Sequence, residues 1–226
     1  MLKALVIGSS GGIGRALEAR LRADPRFGTV VTLSRSEQGL DICDETSVAE
    51  AAHRLQIEYD AFDLIINATG ALVINDSLPE KTIKTLSVDA MMAQFRVNAI
   101  GPALLLKHFQ SLMPREMRSV FASLSARLGS IGDNRLGGWI SYRAAKAAQN
   151  QIVKTAALEI ARTHPEAVVV TLHPGTVMTR LSQPYLKVHQ AVTPDHAALR
   201  VLDVIANLRP SHSGGFFSYS GQPIDW

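Results

Sequence analysis

The chain has 226 residues, 46% hydrophobic and 19% charged, enough apolar material for the core of one α/β domain and too short for a separate substrate domain of ordinary size. Its 23 Lys plus Arg against 20 Asp plus Glu leave a net charge of only +3, and the basic residues are scattered without interleaved aromatics, which argues against a nucleic-acid stripe. Cys43 is the only cysteine, so an intramolecular disulfide and a multi-cysteine zinc site are excluded, and a reducing cytoplasm is the expected compartment.

Met1-Leu2-Lys3 enters the first apolar run directly, with no segment long enough for a signal peptide or a membrane span. Leu2 to Ile7 reads as a strand, and Gly8-Ser9-Ser10-Gly11-Gly12-Ile13-Gly14 follows at once, opening a helix with Ile13, Ala16, Leu17 and Leu21 on one face. Such a turn lets backbone N–H groups approach a phosphate, and the helix N-terminus adds unpaired donors and partial positive charge. The spacing is Gly-x-x-x-Gly-x-Gly, not the commoner Gly-x-Gly-x-x-Gly, and on spacing alone a bare tight turn is the competing reading.

Further strands are expected at Thr29 to Leu33, Phe62 to Asn67, Ser119 to Ser125, Val168 to Leu172 and Phe216 to Tyr219, with a very short one near Leu40 to Ile42. Between them run helical patterns, including Val48, Ala51, Ala52 and Leu55; Val88 to Met113; Ser141 to Thr163; and Ala198, Val201, Leu202 and Ile205. This alternation predicts one domain over residues 1–226, a doubly wound, Rossmann-type α/β sheet of about seven mostly parallel strands with helices on both faces. Ligands of such sheets sit beyond the carboxyl ends of the strands. The irregular stretches Ala126 to Ile140 and Thr179 to Pro194 therefore read as pocket walls, with Leu128, Leu136, Trp139, Leu181, Tyr185 and Leu186 as candidate apolar lining.

Tyr142-Arg143-Ala144-Ala145-Lys146 sets a phenol and an ammonium at i and i+4, on one face of a helix. A neighbouring cation favours phenolate and draws a phenol toward useful proton-transfer chemistry. Asn98 lies inside a helical pattern, four residues before Pro102. The proline has no N–H to give the Asn98 carbonyl, so a kink and a free acceptor are expected. The seven His show no ligand spacing, and no metal is predicted.

These residues together resemble the short-chain dehydrogenase/reductases, in their small single-domain branch, over essentially the whole chain. The C-factor-like group is the most similar within it, on the run 125–139 and the ending Gly221-Gln222-Pro223-Ile224-Asp225-Trp226. The resemblance implies nucleotide contacts at Gly8, Ser10, Gly12, Ile13 and Gly14, although Ile7 stands where a Thr is common. It implies Asn67-Ala68-Thr69-Gly70 beside the adenosine ribose, with Ala68 replacing a second Asn, and Asp41-Ile42 around the adenine. A turn Asp before a helix capped by Asp44 is the alternative for Asp41. Pro174-Gly175-Thr176-Val177-Met178-Thr179 would lie along the nicotinamide.

Ser125 is the implied carbonyl-orienting Ser, with Ser123, on the same side of the strand, as its competitor. Tyr142 and Lys146 would be the proton donor and its partner, both also touching cofactor, and the Asn98 carbonyl would hold a relay water. Leu33-Ser34-Arg35-Ser36 ends the second strand without an acid. An acid would bind a ribose 2′-hydroxyl and repel a 2′-phosphate, whereas Arg accepts the phosphate, so NADP(H) is favoured over NAD(H). The expected partners are a small carbonyl or alcohol substrate and further copies of the chain, as a homodimer or homotetramer. The rival readings are a nucleotide-binding signalling protein on the same fold and a purely structural scaffold.

Overall fold

The computed structural model describes residues 1–183 and 191–226. Six strands form one sheet in the order β2-β1-β3-β4-β5-β6: β1 (Leu2–Ile7), β2 (Phe27–Leu33), β3 (Leu64–Asn67), β4 (Ser119–Leu124), β5 (Ala167–His173) and β6 (Phe216–Ser218). Every neighbouring pair is parallel. Each crossover therefore places a helix on a face of the sheet.

The short strand expected near Leu40 to Ile42 does not form. The Leu40 N–H donates to the Ser34 carbonyl, the Asp41 N–H to Ser47 Oγ, and the Cys43 N–H to the Asp41 carboxylate. These backbone donors are satisfied locally and are not available to a ladder.

Side chains alternate between two cores because both faces of the sheet are covered. On one face Leu5, Ile65, Phe121 and Val169 pack with α3 (Glu45–Tyr59), α5 (Gly101–Phe109) and α6 (Ile140–Ile160). On the other, Val6, Ile66, Val120 and Val170 pack with α1 (Gly12–Ala23) and α7 (Pro194–Asn207). The short helix α2 (Arg35–Gln38) turns the chain after β2. No helix among the described residues is long and apolar enough to cross a membrane.

The helical run from Val88 departs from simple expectation. Helix α4 (Val88–Phe95) passes into a π-helical turn, Arg96–Ile100, before α5 begins, and a 3₁₀ turn at Gln110–Leu112 closes the run. Pro102 brings no N–H for the i−4 register, and the ladder widens ahead of it, with the Gly101 N–H reaching back five residues to the Arg96 carbonyl. The expected kink is thus taken up as a widened turn carrying Asn98.

Strand order reverses between β1 and β3. The crevice beyond their carboxyl ends is where a ligand of such a sheet binds.

Candidate active site

The glycine turn occupies that crevice and is built almost wholly from backbone. Gly8 has φ +89°, a left-handed conformation open to glycine, and a Cβ there would meet the Ala68 and Thr69 backbone at 3.0 Å. A Cβ on Gly14 would lie 2.2 Å from the Gly8 carbonyl oxygen, so α1 enters directly against the turn. Gly11 caps α1 with no side-chain hydrogen bond, which leaves the first-turn amides open to an anion. Across the crevice, a Cβ on Gly12 would touch Thr179 at 3.0 Å; the 174–179 segment therefore faces the glycine turn. A narrow, amide-lined cradle of this kind fits a dinucleotide pyrophosphate.

The motif at residues 67–70 is a structural clasp. Asn67 Nδ2 donates to Ser123 Oγ at 2.9 Å, while its Oδ1 accepts from the Thr69 N–H at 3.0 Å and the Thr69 hydroxyl at 2.6 Å. Ala68 is held by its N–H to the Ile7 carbonyl. Asp41 makes a local turn ahead of α3, whose cap is Asp44, and Ile42 packs on Gly101. Ser34 caps α2 by accepting from the Glu37 N–H and donating to Gln38, whereas Arg35, the first residue of α2 after β2, is exposed.

Four elements bring the catalytic candidates together. Tyr142 and Lys146 lie on the buried face of α6, 7% and 3% exposed. Lys146 Nζ sits 6.0 Å from the Tyr142 ring centroid. A Cβ on Gly70 would stand 3.1 Å from Asn98 Oδ1 and 3.4 Å from Lys146 Nζ, which puts the β3 loop between the π turn and α6. Asn98 is fully buried; its Oδ1 accepts from the Ala71 N–H and its Nδ2 donates to the Ala71 carbonyl and to Gln94.

Ser123 sits deep, with its oxygen already accepting from Asn67 and Gln149. Ser125, at the strand end, donates to Asn150 Oδ1 at 2.7 Å. Ser123 is fully buried and Ser125 is 5% exposed.

The electrostatics correct one expectation. Lys146 does not draw Tyr142 toward neutrality here; burial pushes the phenol well above its ordinary value, and burial also lowers the Lys146 ammonium to about 7. Desolvation outweighs the attraction at this separation. Tyr142 is thus a protonated phenol at neutral pH. His173, at the end of β5, is likewise pushed down to about 4 by burial, with Arg127 adding repulsion.

A cavity of about 520 Å³ opens on the opposite flank of α6, lined by Ile140, Arg143, Ala144 and Ala147 together with Leu128 and Glu80. Leu128 therefore lines a space other than the crevice, and Leu136 is 90% exposed. Trp139 stacks edge-on against Tyr142 at 6.4 Å, and Leu181 is partly exposed. Tyr185 and Leu186 lie outside the described residues.

Three residues escaped sequence reading. Gln149 and Asn150 hold Lys146 and Ser125, and the buried Glu80 accepts from the Ser141 hydroxyl and N–H at the start of α6. The signal was present for the first two: Tyr142, Lys146, Gln149, Asn150 and Val153 form one helix face, where buried amides need partners.

A family profile described as enoyl-(acyl carrier protein) reductase matches residues 29–205. The C-signal of Myxococcus xanthus is 35% identical over 141 residues, covering 60% of this chain and 78% of that protein. The short-chain dehydrogenase srdF of Neurospora crassa is 30% identical over 98% of this chain and 87% of that protein. Among solved structures, an NADPH-bound carbonyl reductase from chicken fatty liver superposes with a TM-score of 0.85 at 23% identity, covering 100% of this chain and 94% of that one.

Proposed function

The chain belongs to the short-chain dehydrogenase/reductase family of NAD(P)-dependent oxidoreductases, and we propose that it is a single-domain, NADP(H)-dependent reductase of small carbonyl compounds, reversible toward the alcohol. The observation that supports this reading is the glycine-lined crevice together with the buried pair Tyr142 and Lys146, Asn98 Oδ1 and Lys146 Nζ flanking Gly70, and Ser125 bound to Asn150 on α6.

The crevice residues fit the cofactor. Gly8, Ser10, Gly12, Ile13 and Gly14 would hold the pyrophosphate, Asn67 to Gly70 and Asp41-Ile42 the adenosine, Ser34 and Arg35 the 2′-phosphate, and Pro174 to Val177 with Thr179 the nicotinamide end. When bound, the nicotinamide supplies a hydride to the carbonyl carbon or takes one from the alcohol.

The chain supplies the proton and the positioning. The Tyr142 hydroxyl gives its proton to the carbonyl oxygen as charge develops there, so hydride plus proton yields the alcohol. Tyr142 holds its proton at neutral pH, the form that reduction needs, and burial makes that proton harder to release, a cost that Lys146 and Ser125 would offset. Ser125 Oγ orients the same oxygen, Lys146 stabilises the phenolate that remains, and the Asn98 turn leads the proton path outward. We place the reaction in the cytoplasm, in a homodimer or homotetramer. The likeness to the C-signal favours a second reading, a nucleotide-binding signalling protein, which turnover separates from the first.

The test is initial rates over a panel of aldehydes and ketones with NADPH and NADH, for wild type and Arg35→Ala. Wild type should turn over at least one carbonyl with NADPH preferred. Arg35→Ala should weaken NADPH about tenfold, the loss of a charge-assisted hydrogen bond, and leave NADH nearly untouched. No turnover of any carbonyl would favour the signalling reading, and equal loss for both cofactors would remove Arg35 from 2′-phosphate recognition.

A further inference from the structure

We propose that Gln149 is a positioning residue for Lys146: its side-chain amide, oriented by Ser123 and the Leu124 carbonyl, is the built acceptor that holds the ammonium at the active site. The proposal rests on reading Lys146 as an active-site residue.

Gln149 is fully buried, and its hydrogen bonds leave one orientation for the amide. Nε2 lies 3.1 Å from the Leu124 carbonyl, which accepts only, and 2.9 Å from Ser123 Oγ, so both amide protons are used and the nitrogen must face β4. Oε1 then faces Lys146 Nζ at 2.8 Å, and an ammonium has only protons to give. Ser123 is fixed in turn by Asn67 Nδ2 at 2.9 Å. A continuous chain thus runs from the β3 clasp through Ser123 and Gln149 to the ammonium. Lys146 gives a second proton to the Leu124 carbonyl at 3.3 Å; its third has no protein acceptor among the described residues and is the one left for a ligand.

Among the described residues no carboxylate hydrogen-bonds Lys146. On the elements packed with α6, Arg96 of the π turn turns its guanidinium to the Cys43 carbonyl, Arg127 pairs with Asp133, Glu80 is bound to Ser141 and His173 stands at the end of β5, while the Tyr142 ring lies 6.0 Å from the ammonium. The neutral Gln149 oxygen is therefore the principal compensation for burying the ammonium. A helix residue three positions after Lys146 needs no such group for packing alone; leucine would fill the volume.

The experiment follows the Lys146 side chain by NMR in ¹³Cε-lysine protein without added nucleotide, its resonance identified by loss in Lys146→Met, for wild type, Gln149→Leu and Gln149→Glu. Removing the acceptor should lower the Lys146 titration midpoint by about one unit, and a carboxylate there should raise it by at least as much. In kinetics on a carbonyl that wild type reduces, Gln149→Leu should lose about tenfold in kcat at neutral pH with KM changed less than about threefold, because less ammonium is present. Gln149→Glu should keep its rate to higher pH. A Gln149→Leu protein whose lysine midpoint and pH–rate profile match wild type overturns the proposal. Should that variant not fold, an unmoved midpoint in Gln149→Glu overturns it equally. Failure of wild type to reduce any carbonyl would strike the proposed function alone, since the lysine titration is read without substrate.

Discussion

The two halves of the crevice are made from different materials. The proposed nucleotide cradle is backbone: Gly8 in a left-handed conformation, Gly14 against the Gly8 carbonyl, and an α1 terminus without a side-chain cap. The proposed catalytic cluster is side chain: Tyr142 and Lys146 share a face of α6 with Gln149, which binds Lys146 and Ser123, and with Asn150, which binds Ser125 at the end of β4. A backbone cradle is sensitive to added atoms and indifferent to pH. A buried side-chain cluster tolerates shape changes better but carries a charge whose cost depends on protonation.

The largest effect should come from the first half. In Gly14→Ala the new methyl would sit 2.2 Å from the Gly8 oxygen, a rigid backbone atom that cannot step aside. We expect a loss of about 3 kcal/mol or more in stability, equal at all pH values near neutrality, and loss of dinucleotide affinity. Urea unfolding with nucleotide titration measures both; a variant with wild-type stability and affinity would mean that the turn is not the close-packed cradle described.

A smaller effect, but a pH-dependent one, should come from the second half. Lys146 is held to about 7 in the folded chain against an ordinary 10.5, so the unfolded chain binds more protons between those values. Stability from this group is therefore lowest where the lysine is charged and rises as pH increases through that window, by up to about 1.4 kcal/mol per pH unit. Lys146→Met should lack this rise, and wild type should gain on it between about pH 7 and 9.5. Parallel stability–pH curves for the two proteins would show that the ammonium is not desolvated as the structure has it.

This division also explains what the amino-acid order reveals. Gly8, Gly12 and Gly14 announce the cradle because a backbone device is written in consecutive residues, and the apolar runs give the strands because burial on both faces removes polar alternation. Pro102 gave the helix defect but not its form: a missing N–H permits a kink or a wider turn, and packing of Gly101 on Ile42 accompanies the second. The short strand expected at Leu40 to Ile42 does not form, and two apolar residues around an Asp cannot show that Ser34, Asp41 and Ser47 claim the backbone donors. Glu80 stayed hidden since its partner Ser141 lies 61 residues away in the chain, and only the fold brings the two together. The Tyr142–Lys146 spacing was legible, whereas the direction of the phenol's shift was not, because it depends on burial.

The claim at the centre is that Tyr142 supplies the proton. The most direct measurement compares wild type with Tyr142→Phe in NADPH affinity and in turnover of one carbonyl that wild type reduces. Only an oxygen is removed from a buried ring, so NADPH affinity should stay within about threefold while turnover falls by about 10²- to 10⁴-fold. An undiminished kcat in Tyr142→Phe, with affinity unchanged, would contradict the account.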